Sequence, residues 1–232
     1  MTSLHILSGG AAQGLVTQLS EHFKAEQQCD IAGTFGAVGM MKDSLLSGTP
    51  CDVLILTDAL ITQLTASGQL TAGSAKTLGA VKTGVAVKSG EKAVDVSSPA
   101  ALKAALQAAR GIYFPDPIKA TAGIHVMKVI RELGLEAELG NRLRPYPNGA
   151  AAMKAMAECD EPGLMGCTQA TEIIFTKGVD LIAPLPKEFE LATIYTASVC
   201  TQSSQASKAS ALIDLMVSAD VAALRLACGF EA

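Results

Sequence analysis

The feature that most constrains this chain is a repeated switch of period. Short apolar runs rich in β-forming residues alternate with stretches whose apolar residues recur at helical spacing. The opening "LHILSGGAAQGLVTQLSEHFK" holds one full unit: an apolar run, a Ser-Gly-Gly-Ala-Ala turn and an amphipathic stretch. Residues 4–7, 30–35, 53–57, 83–87, 111–114, 163–167 and 193–200 read as strands. Residues 11–24, 40–47, 59–67, 99–109, 123–133, 150–157 and 170–176 read as helices, and a last helix is expected over 207–227. Such alternation predicts βαβ units, mostly parallel sheets flanked by helices, and so the α/β class.

The pattern restarts midway. "GIYFPDPIKATAGIHVMKVIRELG" repeats the order of strand, Gly/Pro/Thr-rich turn and amphipathic helix. Two α/β lobes are expected: 1–82 with 196–232, holding both chain ends, and 83–195. The β-rich "KTGVAVKSG" (82–90) and "ATIYTASVC" (192–200) are expected to be the crossings.

The bulk numbers exclude several function classes. With 49% apolar and 17% charged residues, 232 residues can bury a real core. A net charge of -4 without a basic block argues against a nucleic-acid partner. No run reaches the roughly 18 apolar residues of a spanning helix, so no membrane insertion is expected. The six cysteines, at 29, 51, 159, 167, 200 and 228, form no CxxC pair and no zinc-spaced cluster. Neither a metal site nor a cofactor is expected. Scattered thiols, and a first apolar stretch lacking signal-peptide features, point to the cytoplasm for the chain as given; a removed signal would make it periplasmic.

In open α/β sheets ligands bind beyond the carboxyl ends of strands, where helix N-termini present unpaired N–H groups and partial positive charge. Here nearly all of those turns are built from Gly, Ala, Ser and Thr, which let backbone approach a ligand closely. The candidates are Ser8, Gly9, Gly10 and Ala11; then Thr34, Gly36, Ala37, Val38 and Gly39; then Thr57. In the second half they are Lys119, Thr121, Ala122 and Gly123; Arg144 and Asn148; and Cys167, Thr168 and Gln169, with Tyr195 near the second crossing. Thr121 reads as a helix N-cap, and so does Asn148. Arg144 has the bidentate fork that suits a carboxylate. Cys167 follows a buried strand and reads as a small core residue or a ligand contact. Pro115 and Pro117 clamp a turn around Asp116. His125, one turn into the next helix, is either structural or a general base.

The chain resembles the molybdate-binding branch of the type II periplasmic solute-binding proteins. The opening unit carries the resemblance, with "GTFGAVGMMKDSLLSGTPCDVLILTD", "YFPDPIKATAGIHVMKVIRELG" and the closing "LPKEFELATIYTASVCTQSSQASKASALIDLMVSADVAALRLACGFE". The resemblance implies a two-lobed fold with a ligand cleft between lobes that close on a small anion. It implies a molybdate- or tungstate-like oxyanion or a di- or tricarboxylate as ligand, and an ABC permease as partner if the chain is exported. Molybdate binders of this family use serine hydroxyls at the first two helix N-termini and a tyrosine hydroxyl in the second lobe. Here those positions fall at about Ala11, within 37–39, and near Gly166 or Cys167, none of which carries a hydroxyl. The positions near Ala122 and Asn148 carry over. The same branch resembles aconitate isomerase, which implies a second reading: proton abstraction and return along a tricarboxylate, with His125, Asp116 or Tyr146 as base.

Overall fold

The computed structural model describes residues 2–231. Its elements run as β1 (Thr2–Gly9), α1 (Gln13–Gln27), β2 (Cys29–Gly36), α2 (Val38–Leu46), β3 (Val53–Thr57), α3 (Asp58–Ala66) and β4 (Lys76–Lys88). They continue with α4 (Pro99–Ala108), β5 (Gly111–Pro115), α5 (Thr121–Glu132), α6 (Glu136–Leu139), β6 (Leu143–Tyr146), α7 (Gly149–Glu158), β7 (Leu164–Gln169), α8 (Ala170–Phe175) and β8 (Val179–Pro184). Next come β9 (Ala192–Val199), α9 (Ala206–Val217) and α10 (Ala222–Ala227). This is the α/β class that the alternation predicts. Among the described residues no helix is long and apolar enough to cross a membrane.

Contacts gather these elements into two compact units. The first holds the described residues through Val81 and those from Ile194 onward, and the second holds Lys82–Thr193. The chain therefore leaves the first unit within β4 and returns within β9.

In the first unit β1 lies between β2 and β3, parallel to both, and β9 runs antiparallel to β3. Leu4, Ile6 and Leu7 of β1 and the run Val53–Leu56 are almost wholly buried. Such continuous apolar strands suit a sheet covered on both faces. The α1 residues Leu15, Val16, Leu19 and Phe23 fall on one helical face and join the same core, as do Leu212, Ile213 and Met216 of α9.

In the second unit β5 lies between β6 and β7, parallel to both. β4 runs antiparallel to β7 and also to β8. Side chains alternate across the β5–β7 pair as the strand period requires. Ile112, Phe114, Met165 and Cys167 meet the apolar face of α5, through Val126, Met127, Val129 and Ile130. Tyr113 and Leu164 face the other way, toward Ala152, Met153 and Met156 of α7.

Two expectations are corrected, and two strands lie outside the expected set. The last helix is not continuous: Ser218 is extended, and Arg225 Nη1 donates to the Met216 and Ser218 carbonyls, which caps α9 and starts α10 separately. β6 and β8 escape the pattern. "LRPY" carries charge and a proline, which an edge strand such as β6 tolerates. β8 is only half-buried and lacks a clean apolar run. Finally, β4 spans thirteen residues instead of five, because its first half belongs to the first unit.

Candidate functional site

The parallel strands of each unit end at one edge, and the helices that follow start there. In the first unit Gly9 pairs with Gly36 at the ends of β1 and β2. A Cβ on Gly9 would lie 2.9 Å from Val38 Cγ1 and 3.0 Å from Tyr195 Cε1, so these residues converge. Thr57, at the end of β3, pairs with Tyr195. Ser8, Gly9, Gly10, Ala11, Gly36, Ala37, Val38, Gly39, Thr57 and Tyr195 thus share one edge. Thr34 does not: it lies inside β2, exposed, two residues short of the turn.

No side chain caps the helix starts at this edge. Gly10–Ala12 form a 3-10 turn leading into α1, and α2 and α3 begin after Ala37 and Thr57; none of these caps has a side-chain hydrogen bond. The first-turn N–H groups therefore have no intramolecular side-chain acceptor at the cap. Asp58 opens α3 and accepts from Thr196 Oγ1 at 2.9 Å, so that start carries its own negative charge. The starts at 9–12 and 37–39 carry none. The Ser8 hydroxyl, fully buried, donates to the Gly9 carbonyl at 2.8 Å.

In the second unit the α5 start is built by a tight turn. The Asp116 carboxylate accepts from the Ile118 and Lys119 N–H groups at 2.7 and 2.8 Å. Gly123 packs so closely on this turn that a Cβ would sit 2.2 Å from the Pro115 carbonyl oxygen. The N-cap is Ala120 and not Thr121: Ala120 is extended while its carbonyl already accepts from the Ile124 N–H. Thr121 is the first helical residue, and no side chain caps α5.

The α7 start differs, because its donors already face protein acceptors. Asn148 is the expected N-cap, accepting from the Ala151 N–H at 2.8 Å. Beyond it lies Glu172, a buried acid of α8 that sequence reasoning missed. Thr168 Oγ1 donates to Glu172 Oε2 at 2.5 Å. The backbone N–H groups of Ala150, Gly149 and Gln169 bond the same carboxyl. Burial pushes the Glu172 pKa up, against the opposing pull of those four donors. The turn expected to hold an outside anion thus holds the protein's own carboxyl. The sequence signal was a lone acid inside "ATEIIF", four residues after Thr168.

Several further candidates are committed to structural partners. Arg144 donates to Glu161 Oε2 at 2.8 Å and to the Tyr113 hydroxyl at 2.7 Å, and lies 5.2 Å from the Tyr113 ring centroid. Glu161, then Tyr113, raises its already high pKa. Tyr146 stacks on Tyr113 with centroids 5.6 Å apart. Gln169 Nε2 donates to Thr193 Oγ1 at 3.4 Å. Cys167 lies in the apolar core, and burial pushes its thiol up to about 12, away from the thiolate that a nucleophile needs. His125 Nε2 lies 2.7 Å from the Phe189 carbonyl oxygen, an acceptor only. Nε2 therefore carries a proton, and Nδ1 is the ring atom left to act as a base.

Comparison with known proteins gives a consistent set of relatives. The model of a bacterial extracellular solute-binding protein family matches residues 4–231. An aconitate isomerase from a Pseudomonas species is 23% identical over 231 residues, covering 96% of this chain and 85% of the relative. Among solved structures, the periplasmic molybdate-binding protein of Azotobacter vinelandii superposes with a TM-score of 0.82 at 18% identity, covering 99% of both chains. The sulfate-binding protein SubI of Mycobacterium tuberculosis gives 0.76 at 14% identity, covering 99% of this chain and 86% of that one. These likenesses show a shared fold, the one that the sequence resemblance implies.

Proposed function

Because the chain belongs to the bacterial extracellular solute-binding protein family, we propose that it binds a small anion through backbone N–H groups at uncapped helix starts. The observation that carries this reading is the absence of side-chain caps at 9–12, at 37–39 and at the start of α5. Ala11, Ala37 and Gly39 carry no hydroxyl, so we assign an organic di- or tricarboxylate in preference to a tetrahedral oxyanion. A carboxylate oxygen is satisfied by paired N–H donors, as Glu172 is within the protein. In this reading the loaded protein delivers its anion to an ABC permease. It acts outside the cytoplasm, in keeping with an extracellular family and contrary to the address suggested by the thiols. Cell fractionation checks the compartment.

The ligand assignment is tested by thermal-shift screening against citrate, the aconitates, molybdate, tungstate and sulfate. A tricarboxylate is expected to raise the melting temperature, and a larger rise with molybdate than with any carboxylate would defeat the assignment.

A second reading is favoured by the aconitate isomerase relative. An isomerase of that kind removes an allylic proton and returns it at the far end of the double bond. Here His125 Nδ1 is the base candidate taken forward, because the Asp116 carboxylate is committed to its turn through two N–H donors to Oδ1. Interconversion of cis- and trans-aconitate, followed by ultraviolet absorbance, supports this reading. Tricarboxylate binding without turnover excludes it.

A further inference from the structure

Away from these helix starts, the first unit holds a cavity of about 450 Å³. Its walls include His5, Cys51, Asp52, Cys200 and Gln205. Two of its lining residues are thiols from distant parts of the sequence. The ladder between β3 and β9 brings them together. Val53 pairs with Val199, and one rung further the Cys200 N–H donates to the Asp52 carbonyl at 2.9 Å. Cys51 is the next residue, its thiol donates to the Val53 carbonyl at 3.2 Å, and it lines the same cavity wall as Cys200, whose thiol feels it. The two differ in access: Cys200 is 2% exposed, whereas Cys51 is half-buried.

We propose that Cys51 and Cys200 form a redox-active dithiol that closes to a disulfide by exchange with a low-molecular-weight disulfide entering this cavity. The order of events follows from access. The Cys51 thiolate attacks one sulfur of the incoming R–S–S–R, forming a mixed disulfide and releasing one R–S⁻, which takes up the proton lost by Cys51. The Cys200 sulfur then attacks the Cys51 sulfur, and the second R–S⁻ leaves with the Cys200 proton. Two protein thiols become one disulfide, and the oxidant is reduced to two R–SH. Cys51 has to react first. The Cys51 thiol, burial and the Asp52 carboxylate hold the Cys200 thiol well above its ordinary range, and the first of these influences ends once Cys51 is in a mixed disulfide. Asp52 is itself fixed, accepting from the His5 N–H and from Ser203 Oγ, so the backbone beside both thiols is held in place.

The experiment treats the full chain with oxidised glutathione, then denatures it, alkylates the remaining thiols and maps the peptides by mass. The expected result is a Cys51–Cys200 linked peptide and two fewer alkylated thiols than in the untreated protein, reversed by dithiothreitol. The oxidised form should melt several degrees higher, because the link ties two segments of one core. Cys51→Ser and Cys200→Ser each abolish the linked peptide. A stable glutathione adduct on Cys51 with Cys200 still alkylated would overturn the proposal. So would a link between any other pair, or no reaction at Cys51 while Cys159 reacts fully.

Discussion

Replacing Gly149 with alanine tests the buried-carboxyl arrangement at its tightest point. A Cβ there would lie 1.9 Å from Glu172 Oε2 and 2.0 Å from Thr168 Oγ1. Both are roughly 1.5 Å inside ordinary contact, and both atoms are buried. Neither atom can swing out to solvent without abandoning its partners. Overpacking of this kind costs about 1–3 kcal/mol. Displacing the carboxyl from its donors adds about 1–3 kcal/mol for buried groups left unpaired. The expected loss is therefore about 2–6 kcal/mol, a large part of a typical domain's stability. Urea unfolding measures it. A second background identifies the cause: in Glu172→Ala the same Gly149→Ala change should cost less, since the carboxyl it would displace is gone and only the Thr168 Oγ1 contact remains. A Gly149→Ala variant within about 0.5 kcal/mol of wild type would refute the reasoning, because that is the range of an inconsequential surface change.

Other expectations follow from the same geometry. Glu172 has a raised pKa, so between its ordinary value of 4.5 and its folded value the unfolded chain binds fewer protons than the folded one. Stability should therefore fall as pH rises through that window, by about 1.4 kcal/mol for each pH unit crossed, and Glu172→Gln should remove this component in paired unfolding curves. Asn148→Ala should cost about 1 kcal/mol in urea unfolding by removing the α7 cap. In the native protein iodoacetamide should modify Cys159, whose thiol pKa is lowered by the Glu161 backbone and the Tyr113 hydroxyl, and leave Cys167 untouched until unfolding.

The fold was legible where local pattern and tertiary burial agree. β1, β3 and β5 are apolar runs buried in the sheet, and α1 and α5 show their buried faces in sequence spacing. The small-residue turns were legible for the same reason, since helix starts at the ends of parallel strands need close backbone approach. What the sequence hid depends on partners distant in the chain. Arg144 reads as a ligand donor until Glu161 and Tyr113 are placed beside it. Glu172 reads as an ordinary helical acid until α7 delivers its N-terminus. Thr121 resembles a cap because hydroxyls usually cap helices, whereas the Asp116 turn shifts the boundary to Ala120.

The central claim is that backbone donors at uncapped helix starts hold the anion, and one calorimetric comparison tests it directly. Thr121→Pro removes a single N–H at the first helical position of α5, where proline is tolerated and the preceding Ala120 is already extended. Titrating citrate and the aconitates into wild type should give saturable binding to at least one of them. The variant should bind that anion about tenfold or more weakly, as expected for losing a hydrogen bond to a charged group, with its unfolding midpoint unchanged. Equal affinity in the two proteins, or no tricarboxylate binding to wild type, would contradict the account.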